Sequence, residues 1–293
     1  MKEAMKLIGH TPIYHLESSN IYIKLEKMNP GGSIKDRAVY GMLKDAMEQG
    51  KITSQTKLIE ATSGNTGIAL AMMGAIYHLP VTIVMPESMS RERRALIKAY
   101  GANLVLSDKD LGMAGAVQKM KEFMREDSHY LSLDQFQNEA NAAIHEQTTG
   151  QEILAQVADV DIFVACVGTG GTFTGVARAL KKVNPDIRCV VGEPYHSALL
   201  SGHEAGSHKI QGIGANFIPQ ILDTSLIDDI LLIDDEEAYR ETVAFAKQTG
   251  ILVGISSGAN IALAKRLARY YPDRKIVTVA PDGGEKYLSV LFE

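Results

Sequence analysis

The chain has 293 residues, 45% hydrophobic and 22% charged, enough to bury one large core or two moderate ones. Its formal net charge of -5 argues against nucleic acid as the natural partner. No run of about twenty apolar residues is present to span a membrane, and the N-terminus lacks the apolar core of a signal peptide, so we expect a cytoplasmic protein. Two cysteines in apolar runs, Cys166 and Cys189, are expected to be reduced thiols. The eight histidines have no metal-ligand spacing, so no metal site is expected.

In chain order, apolar strand-like runs alternate with helical stretches. The predicted strands are residues 21–24, 58–60, 81–85, 104–106, 162–167, 189–192, 231–233 and 276–279. The predicted helices are residues 37–49, 66–78, 91–100, 115–125, 139–157, 174–182, 236–248 and 259–271. Alternating apolar strands and helices predict α/β architecture, with a parallel sheet covered on both faces. Arg91, Arg93 and Arg94 are interpreted as a solvated helix face outside any site, and His145 and His196 as surface or pocket-rim residues.

The first informative loop, residues 29–37, reads Asn-Pro-Gly-Gly-Ser-Ile-Lys-Asp-Arg. Proline and two glycines interrupt regular structure just before a helical run, which places Lys35 near a helix start. The positive end of the helix dipole, with Arg37 beside it, is expected to lower the pKa of the Lys35 amine. A lysine with a lowered pKa can act as a nucleophile and form a Schiff base with an aldehyde.

The second loop is Thr62-Ser63-Gly64-Asn65-Thr66-Gly67, between a strand-like run and a helix. Its hydroxyls, amide and backbone N–H groups converge on a helix N-terminus, which suits a carboxylate or a phosphate. An ordinary helix cap needs only one such side chain. The loop therefore favours anion or substrate binding over simple capping.

The third loop is Gly168-Thr169-Gly170-Gly171-Thr172, which follows an apolar strand and precedes a helix. In such an arrangement backbone amides can surround a phosphate. The loop lacks both the Gly-Lys-Ser/Thr ending of a P-loop and the spacing of a dinucleotide fingerprint. It thus favours a small phosphate that stays bound, rather than ATP or NAD.

A lysine amine, a carboxylate loop and a phosphate loop together describe a pocket for pyridoxal 5'-phosphate and an amino acid. The chain resembles the cysteine synthase (O-acetylserine sulfhydrylase) family of fold type II pyridoxal-phosphate enzymes over essentially its whole length. The other matching segments are residues 8–12, 133–136, 148–150, 212–215, 254–259 and 284–289.

The resemblance implies two three-layer α/β domains with mostly parallel sheets and the cofactor in the cleft between them, as in the tryptophan synthase β subunit. The smaller domain would span residues 36–134, and the larger one residues 1–35 and 135–293. The resemblance also implies a homodimer. Separate domains for the substrate loop and the phosphate loop would let substrate binding close the cleft and exclude water.

The resemblance further assigns roles. Lys35 would bind the cofactor and move the α-proton, Asn65 would bond the ring hydroxyl, and Ser256 would face the pyridine nitrogen. Gly168, Thr169, Gly170, Gly171 and Thr172 would hold the phosphate, and Thr62, Ser63, Asn65, Thr66 and Gln135 would bind the amino acid substrate. On residues alone, Ser256 is equally well explained as a helix N-cap. Asp282 departs from the serine found in many members, and it would favour a protonated ring if it approached the nitrogen.

The implied reaction is β-replacement, making L-cysteine from O-acetyl-L-serine and sulfide through an aminoacrylate intermediate. Residues 60–62 and 89–94 are similar to the isozyme that also uses thiosulfate, whereas residues 168–171 and the loop at Gly212 are similar to the sulfide-using one, so leaving group and nucleophile stay open. A cystathionine β-synthase-like enzyme and a cysteine lyase that releases hydrogen sulfide are alternatives on the same scaffold. A different class is a sulfur-status sensor that binds the C-terminal tail of serine acetyltransferase; an intact Lys35 argues against a purely non-catalytic role.

Overall fold

The computed structural model describes residues 2–291, and over this part of the chain ten strands form two sheets, accompanied by ten α-helices. The strands are β1 (Ile13–His15), β2 (Ile21–Leu25), β3 (Lys57–Ala61), β4 (Val81–Pro86), β5 (Asn103–Ser107), β6 (Tyr130–Leu131), β7 (Ile162–Cys166), β8 (Arg188–Pro194), β9 (Asp229–Ile233) and β10 (Ile276–Ala280). The helices are α1 (Lys35–Glu48), α2 (Asn65–Tyr77), α3 (Arg91–Ala99), α4 (Gly112–Glu126), α5 (Ala140–Ile144), α6 (Gly150–Gln156), α7 (Gly171–Val183), α8 (Asp235–Thr249), α9 (Ile255–Tyr270) and α10 (Leu288–Leu291).

The two sheets are almost entirely parallel. The smaller one has the order β5-β4-β3-β6, and the larger one β1-β2-β10-β7-β8-β9. Every pair is parallel except β1 with β2. Parallel neighbours need crossover connections, which the intervening helices supply.

Burial explains why β4 and β10 lie in the interior of their sheets. Every residue of β4 and of β10 is buried, as expected for strands covered by helices on both faces. Separate apolar clusters on the two sides of the larger sheet contain Phe245 and Leu263 on one side and Phe173 and Leu180 on the other. The predicted α/β class with mostly parallel sheets is confirmed.

The sequence prediction differs from the structure at a few elements. The edge strands β1 and β6 were not predicted, because two or three residues carry little periodic signal. The predicted helix 139–157 is interrupted by a π-helical turn, His145–Thr149, between α5 and α6. At this turn the buried ring Nδ1 of His145 lies 2.9 Å from Thr149 Oγ1, a contact that hydrophobic periodicity does not reveal.

The fold places the loops of interest at the carboxyl ends of parallel strands. The Thr62 loop follows β3, the Gly168 loop follows β7, and Asp282 follows β10. All strands of the smaller sheet lie within residues 57–131. In parallel α/β sheets this edge is where ligands bind. No helix among residues 2–291 is long and apolar enough to cross a membrane.

Candidate active site

Lys35 is the first residue of α1, as the glycine-rich loop before it predicted. Its backbone N–H donates to Ser33 Oγ at 3.2 Å, and Ser33 pairs with Asp282 in an isolated antiparallel bridge. This bridge places Lys35 beside the end of β10. Burial lowers the pKa of Lys35 to about 8, partly opposed by the negative charge of Asp282.

The lowered pKa of Lys35 was predicted correctly, but its cause was not. The sequence suggested the helix dipole and Arg37, whereas burial is the main cause. The guanidinium of Arg37 is instead held in a buried ion-pair network with Glu26 and Glu152, at donor–acceptor distances of 2.6 to 2.8 Å. Arg37 therefore anchors the start of α1.

The Thr62 loop leads into the N-terminus of α2, and two of its side chains bond to distant parts of the chain. Thr66 Oγ1 donates to Gln135 Oε1 at 2.7 Å, so the structure brings these two predicted substrate residues together. Thr62 Oγ1 accepts the backbone N–H of Gly64 at 3.2 Å, and Ser63 is half-buried. Asn65 Nδ2 donates to Asp282 Oδ2 at 2.8 Å, while Asn65 Oδ1 is buried without a hydrogen-bond partner. The loop thus retains free acceptor capacity at Asn65.

The Gly168 loop forms the N-terminus of α7 and leaves no room for a side chain at its glycines. Gly170 caps the helix with a φ of 88°, in the left-handed region that glycine adopts readily. A Cβ atom on Gly168 would lie 2.3 Å from the carbonyl oxygen of Gly212, and one on Gly171 would lie 2.2 Å from Asn141 Oδ1. The backbone is therefore shaped to present the first N–H groups of α7, which suits an anion.

Two threonines of this loop are supported from outside it. Thr169 Oγ1 accepts from Asn141 Nδ2 at 3.2 Å, and Thr172 Oγ1 lies 3.4 Å from His145 Nε2. Burial lowers the pKa of His145 well below its ordinary value, and the charges of Arg37 and Lys35 lower it further. His145 is therefore neutral near pH 7 and is buried, so the prediction of a surface or rim position was wrong for it; His196 is exposed as predicted.

Asp282 lies inside the site. Its side chain is fully buried, and its Oδ2 accepts from Asn65 Nδ2 and, at 2.6 Å, from the hydroxyl of Tyr287. Gly254 makes room for it, because a Cβ there would lie 2.0 Å from Asp282 Oδ1. Ser256 is buried in the first turn of α9, whose N-cap is Gly254, so capping does not account for Ser256.

Arg93 is the second side chain whose environment was predicted wrongly. It belongs to α3 and is 2% exposed, and its guanidinium carbon lies 4.5 Å from the centre of the Tyr287 ring. Sequence periodicity places it on a polar helix face, and only the packing of α3 against a distant segment of the chain covers it. No local sequence signal could have indicated this burial.

Neither cysteine is placed for chemistry. Both are free thiols, and burial raises the pKa of Cys166 and of Cys189 to about 12. At that pKa the thiolate is scarce near neutral pH. The part of the chain that the structure covers has no cluster of three or more His, Cys, Asp or Glu side chains arranged for a metal ion.

Comparison with known proteins identifies the family of this chain. Residues 4–282 match the family model described as pyridoxal-phosphate dependent enzyme. The chain belongs to this family and, within it, to the cysteine synthases. It is 47% identical over 291 residues to cysteine synthase B of Campylobacter jejuni, with 98% of this chain and 97% of that one covered.

Two solved structures extend the comparison. A cysteine synthase from Entamoeba histolytica superimposes with a TM-score of 0.95 at 37% identity, covering 100% of this chain and 90% of the other. An O-acetylserine-dependent cystathionine β-synthase from Helicobacter pylori superimposes with a TM-score of 0.93 at 39% identity, covering 99% and 97%. The fold is therefore shared by relatives with more than one named activity.

The residues present fit pyridoxal 5'-phosphate. The cofactor needs an amine that is nucleophilic near neutral pH, an anion site and a polar partner for the ring. Lys35 has the lowered pKa, the N-terminus of α7 has the glycine backbone, and Asn65 has an unpaired buried oxygen.

Proposed function

We propose that this protein makes L-cysteine from O-acetyl-L-serine and sulfide by pyridoxal-phosphate-dependent β-replacement, with thiosulfate as a further candidate nucleophile. The observation that carries the proposal is the convergence of Lys35 and two glycine-bearing helix N-termini at the carboxyl ends of strands from both sheets. The names of the relatives support the same reaction.

For the cofactor, we propose that Lys35 holds the aldehyde carbon and that the loop from Gly168 to Thr172 holds the phosphate. Asn65 would bond the ring hydroxyl, and Ser256 would face the ring nitrogen. When bound, the cofactor supplies an electron sink for the electron pair left on the substrate α-carbon.

The proposed acid–base group is Lys35. With a pKa of about 8, roughly a quarter of the free amine is neutral at pH 7.5, against about a thousandth for an ordinary lysine. The neutral Nζ can take the α-proton and the resulting ammonium can return it, so one residue serves both half-reactions.

The substrate carboxylate is proposed to bind at the N-terminus of α2. Thr62, Ser63, Thr66 and Gln135 would surround it, and the helix dipole favours its negative charge. We also propose that residues 36–134 form the smaller domain, and residues 1–35 and 135–293 the larger one. With those boundaries, Gln135 and the Thr62 loop lie on opposite sides of a hinge, so carboxylate binding would close the cleft and exclude water.

The test is turnover by the purified protein, supplied with cofactor and with three substrate sets in parallel. O-acetylserine plus sulfide should give cysteine; serine plus homocysteine, and cysteine alone, should react much more slowly. Turnover of only the latter two would refute the proposal. It would favour a cystathionine β-synthase-like enzyme, the second candidate because of the Helicobacter pylori relative, or a cysteine lyase.

For location and assembly, we propose a cytoplasmic homodimer, which the resemblance supports. Light scattering of the purified protein should give twice the mass of 31.8 kDa; a monomer would contradict this. The Thr62–Thr66 loop would also suit the terminal carboxylate of a serine acetyltransferase tail. Such a peptide should then compete with O-acetylserine.

A further inference from the structure

Arg93 and Arg94 are neighbours on α3 with very different surroundings. Arg94 is half-buried and donates from Nε and Nη2 to the backbone carbonyls of Met89 and Glu87, within its own loop. Arg93 is buried and reaches parts of the chain far from α3 in sequence. The proposed activity has so far given Arg93 no role.

The guanidinium of Arg93 contacts two segments that belong with the larger sheet. It lies over the ring of Tyr287, which follows β10, and its Nη1 donates to Gln211 Oε1, between β8 and β9. Gln211 precedes Gly212, whose carbonyl lies over the Gly168 loop. Arg93 therefore connects the smaller sheet's helix layer to the segments around the phosphate loop.

Arg93 also lies directly against the substrate loop. A Cβ atom on Gly64 would be 2.8 Å from Arg93 Nε, which is buried and has no hydrogen-bond acceptor. The same loop is also hydrogen-bonded at Asn65, to Asp282, which in turn accepts from Tyr287. The Thr62–Thr66 loop is thus held at two adjacent residues, and Tyr287 takes part in both contacts.

A buried positive charge behind this loop has an electrostatic consequence. Away from bulk water the field of a fixed guanidinium is weakly screened, so it favours a carboxylate on the far side of the loop. The other ionisable groups at this position pair with each other: Lys286 Nζ lies 3.9 Å from Asp282 Oδ2 and donates to the Gly32 carbonyl.

We propose that Arg93 is a positioning residue for the amino acid substrate: it holds the Thr62–Thr66 loop against Tyr287 and Gln211 and places a positive charge behind the substrate carboxylate. The inference rests on the proposed role of that loop in carboxylate binding. It assigns to Arg93 an effect on substrate affinity and leaves the proton transfers to Lys35.

The experiment measures ligand binding to the holoenzyme through the absorbance of the bound cofactor. Two unreactive probes are compared, L-methionine and 3-(methylthio)propylamine, which is methionine without its carboxylate. Arg93→Met should weaken methionine binding by about tenfold or more, because it removes both the charge-assisted hydrogen bond to Gln211 and the positive charge behind the loop. It should change amine binding by less than about twofold. KM for O-acetylserine should rise by a similar factor, with kcat nearly unchanged.

Arg94→Met is the matched control, because it removes an arginine from the same helix turn. This variant should bind both probes as the wild type does. If Arg93→Met does not fold, Gln211→Ala replaces it, since Gln211 is half-buried, and should give a smaller loss for methionine only. Arg93→Lys, which keeps the charge, should restore part of the affinity.

Three results would overturn the inference. Unchanged methionine binding in Arg93→Met would exclude a role in affinity, and an equal loss for both probes would mean that Arg93 only supports the structure of the cleft. A wild-type enzyme that binds both probes equally well would refute the proposed carboxylate loop itself, and the role of Arg93 with it.

Discussion

The ion-pair network at the start of α1 offers a sharp test of how this fold is stabilised. The guanidinium of Arg37 is almost completely buried, and it donates to both carboxylate oxygens of Glu26 at 2.8 Å and to those of Glu152 at 2.6 and 2.7 Å. Arg37→Met keeps the apolar length of the side chain and removes the charge and every donor. We expect the folded protein to lose considerable stability.

The magnitude follows from what the substitution leaves behind. Glu26 is fully buried but still accepts from Thr11 Oγ1 and Asn29 Nδ2, and Glu152 still pairs with Lys24 at 2.7 Å. Breaking a buried pair costs about 3–5 kcal/mol, and because these partners keep some bonds we expect the lower half, about 3–4 kcal/mol. At roughly 2 °C per kcal/mol for a chain of this size, Tm should fall by about 6–8 °C.

The assay is thermal and urea unfolding at constant pH, with Arg274→Met as the matched control. Arg274 makes an exposed pair with Asp161 at 2.8 Å, and its loss should cost less than about 1 kcal/mol. The double variant Arg37→Met/Glu26→Gln should recover part of the loss, since it removes the uncompensated buried charge. An Arg37→Met loss no larger than that of Arg274→Met, or no recovery in the double variant, would refute this reasoning.

Three further predictions follow, two for site residues and one for the buried Glu60 of β3. Lys35→Ala should abolish turnover and the absorbance of the covalently bound cofactor while the circular dichroism spectrum stays unchanged. Turnover by this variant at the wild-type rate would contradict the proposed role of Lys35. Gly168→Ala should weaken cofactor binding by at least about tenfold because its Cβ would clash with the Gly212 carbonyl. Gly202→Ala, where a Cβ would meet nothing within 4 Å but φ is 83°, should lose stability through backbone strain and keep cofactor binding unchanged. Burial raises the pKa of Glu60 from 4.5 to about 7, so the folded protein favours the protonated carboxyl. The stability that the protonated carboxyl contributes is complete below pH 4.5 and is lost as pH rises through 7. Glu60→Gln should therefore gain about 2–3 kcal/mol relative to the wild type between pH 5 and pH 8, and parallel stability curves would contradict this.

Much of the fold and of the candidate site could be predicted from local sequence signals. Strand–loop–helix order, glycines and hydroxyl side chains are short-range signals, and they predicted the helix starts near Lys35, Asn65 and Gly168. The α/β class followed from the alternation of apolar strands and helices, because each strand buried on both faces must be almost wholly apolar.

Tertiary structure alone decided what surrounds those loops. Arg93 was expected on a solvated helix face and His145 at the surface or a pocket rim, and both are buried in the folded chain. The cause of the lowered pKa of Lys35 was likewise misjudged, because burial is a property of the packed molecule whereas a neighbouring arginine is visible in the sequence. Sequence periodicity reports which face of an element is apolar; which polar side chains are covered depends on contacts between distant segments, and these exist only once the chain has folded.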